Sequence, residues 1–165
     1  MSITSTDKYG LKPHVIAYAR EDYDEIINEL RPLLPVHWAE MAQRQDEIPL
    51  DPDFDWYKRA SDLGMCVAYT AREDGQLIGY CIVLISPRHA HYAHRWAKDD
   101  TIWLRADRRN LGVATGLFDF MEADLRQGGP IVLQIETRHQ HPALEFLLRG
   151  RGYEETGMLY GKRFA

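Results

Sequence analysis

Trp103-Leu104-Arg105-Ala106-Asp107-Arg108-Arg109-Asn110-Leu111-Gly112-Val113-Ala114-Thr115 is the stretch on which the rest of the chain depends. The apolar run from Ile102 to Leu104 predicts a strand, a polar turn with three arginines follows, and a helix opens on Gly112 and Ala114. Such a junction gathers unpaired backbone N–H groups and the positive end of a helix dipole. That arrangement binds anions, most often phosphate. Small residues at Gly112 and Ala114 let an anion reach the backbone, and Arg108 and Arg109 are expected to add positive charge at the rim. The Lys-Ser/Thr pair of a P-loop is missing, because Leu117 and Phe118 follow Gly116. The three glycines of a dinucleotide fingerprint are missing too. On these residues alone, an ordinary helix start after a strand stays open.

At 165 residues the chain has the length of one domain, and 45% hydrophobic with 27% charged residues is the balance of an ordinary globular protein. The net charge of −5 argues against broad nucleic-acid binding, which needs a basic face. The two cysteines, Cys66 and Cys81, sit in strand-like apolar runs and read as buried thiols without metal spacing. No apolar run approaches the roughly 18 residues of a membrane span, and no signal-peptide pattern opens the chain. The expectation is a cytoplasmic protein with no membrane partner and no metal.

Residues 1–13 read as a polar lead-in, 22–64 as a helical region, and 65–165 as a sheet with an anion-binding core, all within one domain spanning 1–165. Val15 to Ala19 predicts a strand. Ile26, Ile27, Leu30, Leu33 and Leu34 recur at helical spacing, and Pro32 and Pro35 are expected to break or kink that helix before a second piece from Val36 to Ala42. Asp53 or Asp55 can cap a short helix carrying Trp56, Tyr57 and Ala60. Met65 to Ala71 and Leu77 to Ile85 read as strands joined by the hairpin signal Asp74-Gly75, and Asp99 to Leu104 as the next. After the loop come a helix ending at Gly128-Gly129-Pro130, a strand from Ile131 to Ile135, a helix opened by His141-Pro142, and two strands, Tyr153 to Thr156 and Leu159 to Phe164. The fold class is therefore α/β of α+β type, an antiparallel meander feeding a βαβ crossover.

Arg109, Gly112 and Ala114, in the pattern Arg-x-x-Gly-x-Ala, resemble the pyrophosphate loop of the GCN5-related N-acetyltransferases, or GNATs. The element order over residues 15–164 is similar to that family's. Three stretches look like the GNAT-like acetyltransferases of tailed bacteriophages and prophages. They are Pro32-Leu33-Leu34 with His37 to Glu40 and Ile48 to Asp53 and Tyr57; His91-Tyr92 ahead of Asp100; and Arg108-Arg109 with Gly112. The resemblance implies a GNAT fold, a mostly antiparallel sheet with flanking helices, and acetyl transfer from acetyl-CoA, as cosubstrate, to a primary amine on a small molecule or protein. It also implies that the strand before the loop splays from its neighbour. The pantetheine arm would pair with backbone at Trp103, Leu104 and Arg105, and the pyrophosphate would meet the N–H groups of Arg109, Asn110, Leu111, Gly112, Val113 and Ala114, with Thr115 adding a hydroxyl. A second reading is a catalytically weak GNAT-like domain acting as a phage or prophage protein-binding factor. Edge strands near the C-terminus allow a homodimer.

Acetyl transfer to an amine needs a base, a polarised carbonyl and a route for the thiolate to gain a proton. Asp100 is the first candidate base. It lies four residues before Leu104, and period-two alternation would place it on the face of Ile102 and Leu104. A solvated carboxylate beside Asp99 is the plain alternative. Glu136, at the end of the next strand, is the second candidate. Many GNATs carry a tyrosine on the last helix ahead of a Gly-Phe pair; Gly152-Tyr153 matches that pair, but the tyrosine position falls on Leu148. His141, His139, Tyr92 or a water could serve the thiolate instead. His89, His91 and His94 lack metal-ligand spacing, so His91 and Tyr92 are expected to border the acceptor site. His37, Trp38 and Glu40 are the corresponding acceptor-side residues, with core packing open for Trp38.

Overall fold

The computed structural model describes the chain apart from residues 1, 6–13, 42–44, 46, 87–90, 92–93, 110, 130, 138–140, 158–161 and 163–165. It falls into two compact units, Met1–Ile135 and Glu136–Ala165. The first holds a six-stranded sheet in sequence order: β1 (Ser2–Ser5), β2 (His14–Glu21), β3 (Cys66–Glu73), β4 (Gln76–Ser86), β5 (Arg95–Leu104) and β6 (Ile131–Gln134). The β1 to β5 neighbours pair antiparallel, and β5–β6 pair parallel. Parallel neighbours need a crossover, which helix α3 (Val113–Gln127) supplies. Helices α1 (Tyr23–Met41) and α2 (Phe54–Asp62) precede β3. In the second unit, α4 (Pro142–Gly150) is entered through His141.

Sequence signals account for most of this. Asp53 caps α2, accepting from the Trp56 N–H at 2.8 Å. Asp74 and Gly75 have φ of 50° and 87°, the paired left-handed conformation of a tight hairpin. Three expectations are corrected. A strand, β1, lies within the polar lead-in, paired with β2 through backbone bonds that depend little on side chains. The prolines do not divide α1, which runs unbroken through Pro32 and Pro35. Both prolines are exposed, while Tyr23, Ile26 and Leu30 are buried against Ala68, Tyr80 and Ile82 of the sheet. Tertiary burial therefore outweighs the lost helix bonds. Finally, Tyr153 to Thr156 carries no strand, and Leu159 to Phe164 lies, except for Lys162, outside the described residues.

The sheet has two covered faces. One carries α1 and α2 over Cys66, Ala68, Tyr80, Ile82 and Trp103. The other carries α3, whose Val113, Leu117, Phe118, Met121 and Leu125 are buried. Tyr69, opposite in parity to Ala68, meets Phe120 of α3 edge-on at 6.4 Å and donates to Asp124 at 2.8 Å.

One ion pair ties stability to pH. Arg72 donates to both oxygens of Glu21, at 2.9 and 2.8 Å, and to Glu29 at 2.9 and 2.8 Å. The hydrogen bonds from Arg72 hold the Glu21 carboxyl below its ordinary value of 4.5. A depressed folded-state value stabilises the protein above the unfolded value and loses that contribution as pH falls through the folded one. Glu21→Gln is therefore expected to lower Tm at neutral pH, with the gap from the parent protein closing as pH falls below 4.5 in thermal melts.

Candidate active site

The parallel pairing of β5 with β6 begins at Arg95↔Ile131 and stops at Lys98↔Gln134. Beyond Lys98, β5 has no partner on that side among the described strands of the first unit. The Arg105 N–H donates to Ile78 O at 2.8 Å, so position 105 bonds toward β4. Alternation then turns Trp103 toward β4 as well, and turns the N–H and C=O of Ile102 and Leu104 to the open edge. Of Trp103, Leu104 and Arg105, only Leu104 can therefore offer backbone to a ligand at this edge. Trp103 instead buries its ring beside Tyr80, at 5.9 Å, and its indole N–H is buried with no partner among the described residues.

The edge leads into the loop. After a 3-10 turn (Ala106–Arg108), Gly112 stands at the N-cap of α3 with φ +77° and no side-chain cap, and no acidic residue occupies the first turn. An α3 start left uncapped in this way keeps its positive polarity for a ligand. Leu111, Gly112 and Thr115 are exposed, Ala114 is half-buried and Val113 is buried, anchoring the helix start; Asn110 lies outside the described residues.

The arginines do not stand free at the rim as expected. Arg105 bonds Asp107 at 2.7 Å and Glu73 at 3.3 Å, and Arg108 bonds Glu73 at 2.8 Å and Asp107 at 2.8 Å. Glu73, at the end of β3, is brought beside the loop by sheet pairing, which the local sequence did not show. Arg109 pairs with Glu40 of α1, and its Nε donates to Leu104 O at 2.9 Å. The loop is thus braced from both sides, and one carbonyl of the open edge is already bonded to Arg109.

Asp100 occupies an irregularity in β5. Ile82 pairs with Thr101 and Val83 with Asp99, leaving Asp100 as the extra residue of a bulge. The bulge breaks the alternation assumed from sequence. Asp100 does not share the face of Ile102. It turns toward α2, where the Tyr57 hydroxyl donates to its Oδ2 at 2.6 Å. Asp99 is buried and Asp100 exposed. Tyr57 stacks on Tyr23 at 4.9 Å and 16° and meets Trp56 edge-on at 5.0 Å. Burial and the bond to Asp100 push the Tyr57 phenol well above the ordinary tyrosine value, so it stays a donor. In the sequence Tyr57 has a place on a short helix and in one of the resembling stretches but no catalytic role, because its partner lies 43 residues away.

His37 is buried, its Nδ1 sharing a 2.8 Å hydrogen bond with the Tyr80 hydroxyl, so its ring belongs to the α1 core rather than to an open pocket. Trp38 is half-buried and its carbonyl accepts from Gln45 at 3.1 Å. His91 is exposed, and Tyr92, His89 and His139 lie outside the described residues. Glu136 and His141 belong to the second unit, His141 as the residue before α4. Cys66 and Cys81 are buried free thiols, the first pushed up to about 12 and the second raised, both mainly by burial. Among the described residues no group of three His, Cys, Asp or Glu could hold a metal, and no helix is long and apolar enough to cross a membrane.

Residues 23–153 match the model of the acetyltransferase (GNAT) family. No curated protein matches the sequence. Among solved structures, the chain is similar to a ribosomal-protein-alanine N-acetyltransferase from Brucella melitensis biovar Abortus 2308, at 21% identity and TM-score 0.68, covering 91% of this chain and 99% of that one. It is also similar to an aminoglycoside acetyltransferase from an uncultured soil metagenomic sample in complex with sisomicin, at 13% identity and TM-score 0.70, covering 91% and 97%. A predicted acetyltransferase from Clostridium acetobutylicum with acetyl-CoA shares 14% identity at TM-score 0.67, covering 90% and 96%. At these identities the likeness is one of fold.

Proposed function

Because the chain belongs to the GNAT acetyltransferase family, we propose that it transfers an acetyl group from acetyl-CoA directly to a primary amine. The observation that carries this reading is the continuous path from the open edge of β5, at Ile102 and Leu104, to the uncapped start of α3 at Gly112. An amide-containing arm can pair with the strand edge, and a pyrophosphate can take the N–H groups of Leu111, Gly112, Val113 and Ala114 at the helix start, whereas the Arg109 N–H is already given to Ala106 O at 3.3 Å. The Leu104 N–H is then available to polarise the thioester carbonyl.

Asp100 takes a proton from the substrate ammonium. The freed nitrogen lone pair attacks the thioester carbon, the C–N bond forms, and the C–S bond breaks with its electron pair on sulfur. The second nitrogen proton goes to the leaving thiolate through water. An ammonium and acetyl-CoA thus become an acetamide, free CoA thiol and one proton. Glu136 is the alternative base. A cysteine acyl carrier is disfavoured, since both thiols are buried and held protonated.

The acceptor is an amine on a small molecule or a protein; the solved neighbours named as aminoglycoside acetyltransferases support the small-molecule case. The three stretches similar to phage and prophage GNAT-like proteins support an origin of that kind and a cytoplasmic setting. Leu148, where many GNATs carry tyrosine, supports the second reading as a weakly active binding factor. Calorimetric titration with acetyl-CoA is expected to give a dissociation constant in the micromolar to millimolar range, and a thiol-release assay with an amine panel to give turnover. Absence of binding sinks the transfer reading. Binding without thiol release favours the binding-factor reading.

A further inference from the structure

We infer that Tyr57 is the positioning residue of the catalytic base. Its hydroxyl fixes one oxygen of Asp100 and leaves the other for the substrate ammonium. This rests on Asp100 acting in the transfer proposed above.

The geometry is specific. Asp100 sits in the β5 bulge, where the strand alone would leave the carboxylate free to rotate. Its Oδ2 receives the Tyr57 hydroxyl at 2.6 Å. Tyr57 is itself held between two rings, stacked on Tyr23 at 4.9 Å and edge-on to Trp56 at 5.0 Å. The hydroxyl is therefore delivered from a ring fixed on both sides. Tyr57 is raised well above the ordinary phenol value, so it does not compete for the substrate proton; it donates throughout. The titratable groups on the α1–α2 face that register the carboxylate's charge are Tyr23 of α1, Tyr57 of α2 and Cys66 of β3. All are neutral at working pH, and no Lys or Arg pairs with Asp100 among the described residues. A carboxylate with no Lys or Arg pairing to it among the described residues suits a cationic amine, which its charge attracts.

In one step the ammonium N–H transfers its proton to the free oxygen of Asp100, and the nitrogen keeps the pair that attacks the thioester. Tyr57 loses and gains no bond. Its part is to keep that oxygen aimed, and misaiming a reacting group by about an ångström costs on the order of a hundredfold in rate.

The test is a double-mutant cycle on the full chain, using acetyl-CoA and four probe amines: spermidine, glucosamine, kanamycin and ethanolamine. The amine that gives the fastest thiol release with the parent protein is used for the cycle. Tyr57→Phe keeps the stacked ring and removes only the hydroxyl. It is expected to lower kcat by roughly ten- to a hundredfold with acetyl-CoA affinity unchanged by calorimetry. Asp100→Asn is expected to lower kcat further, and Tyr57→Phe to add little once Asp100 is gone. A merely structural tyrosine would instead give losses that multiply. Parent-level kcat in Tyr57→Phe, with Asp100→Asn slow, overturns the positioning role alone. Asp100→Asn at the parent rate, or thiol release with none of the four amines, overturns the underlying role of Asp100 and this inference with it.

Discussion

Asp100→Asn is expected to lower kcat for acetyl transfer by about a hundred- to ten-thousandfold, the range a general base supplies. The substitution keeps shape and size, and an amide oxygen can still accept from Tyr57. What it removes is the capacity to take a proton from an ammonium. Asp100 lies on the α2 side of β5, whereas the open edge is formed by backbone of Ile102 and Leu104, so acetyl-CoA affinity should hold. Exposure of Asp100 and its place on the bulge argue for a small effect on folding. Thiol release measured beside calorimetric acetyl-CoA binding separates the two quantities. An unchanged kcat would transfer the role of base to Glu136.

Gly112→Glu is expected to weaken acetyl-CoA binding by about a hundredfold or more while leaving the protein folded. Two effects act at that position. A side chain at φ +77° is strained, at a cost of roughly 1–2 kcal/mol. The added carboxylate would also occupy the N–H groups a pyrophosphate needs and repel its charge; loss of two charge-assisted bonds accounts for about 3 kcal/mol, or two powers of ten in affinity. A Cβ at Gly112 meets nothing within 4 Å, so the strain is not compounded by a clash. Gly112→Ala carries the strain without the charge and serves as the control, with a small loss of affinity. A melting curve close to the parent's and a lost calorimetric signal are the outcomes that fit. Undiminished affinity in Gly112→Glu would remove the loop from the binding path.

The loop, its preceding strand and its following helix were legible because each rests on local chemistry. An apolar run, a turn rich in arginine and small residues at a helix start interact within about 12 residues of one another. The Asp53 cap and the Asp74-Gly75 turn were legible for the same reason. The partners of the arginines were not. Glu73 and Glu40 reach Arg108 and Arg109 across sequence separations of 35 and 69 residues, and only sheet pairing and the packing of α1 bring them there. The prolines of α1 misled because a local rule was outweighed by burial of the helix face.

By itself the sequence determined a mixed sheet with a βαβ crossover and a glycine-led helix start after the strand that ends at Leu104. These follow from periodicity and turn chemistry, which act over a few residues. Tertiary structure decided which way the chemistry points. Strand pairing that ends at Lys98 opens the edge at Ile102 and Leu104. A single extra residue in β5 turns Asp100 away from the face that alternation gave it and toward Tyr57 on α2. Period-two alternation holds only while a strand stays regular, and whether it does is set by the neighbour it pairs with.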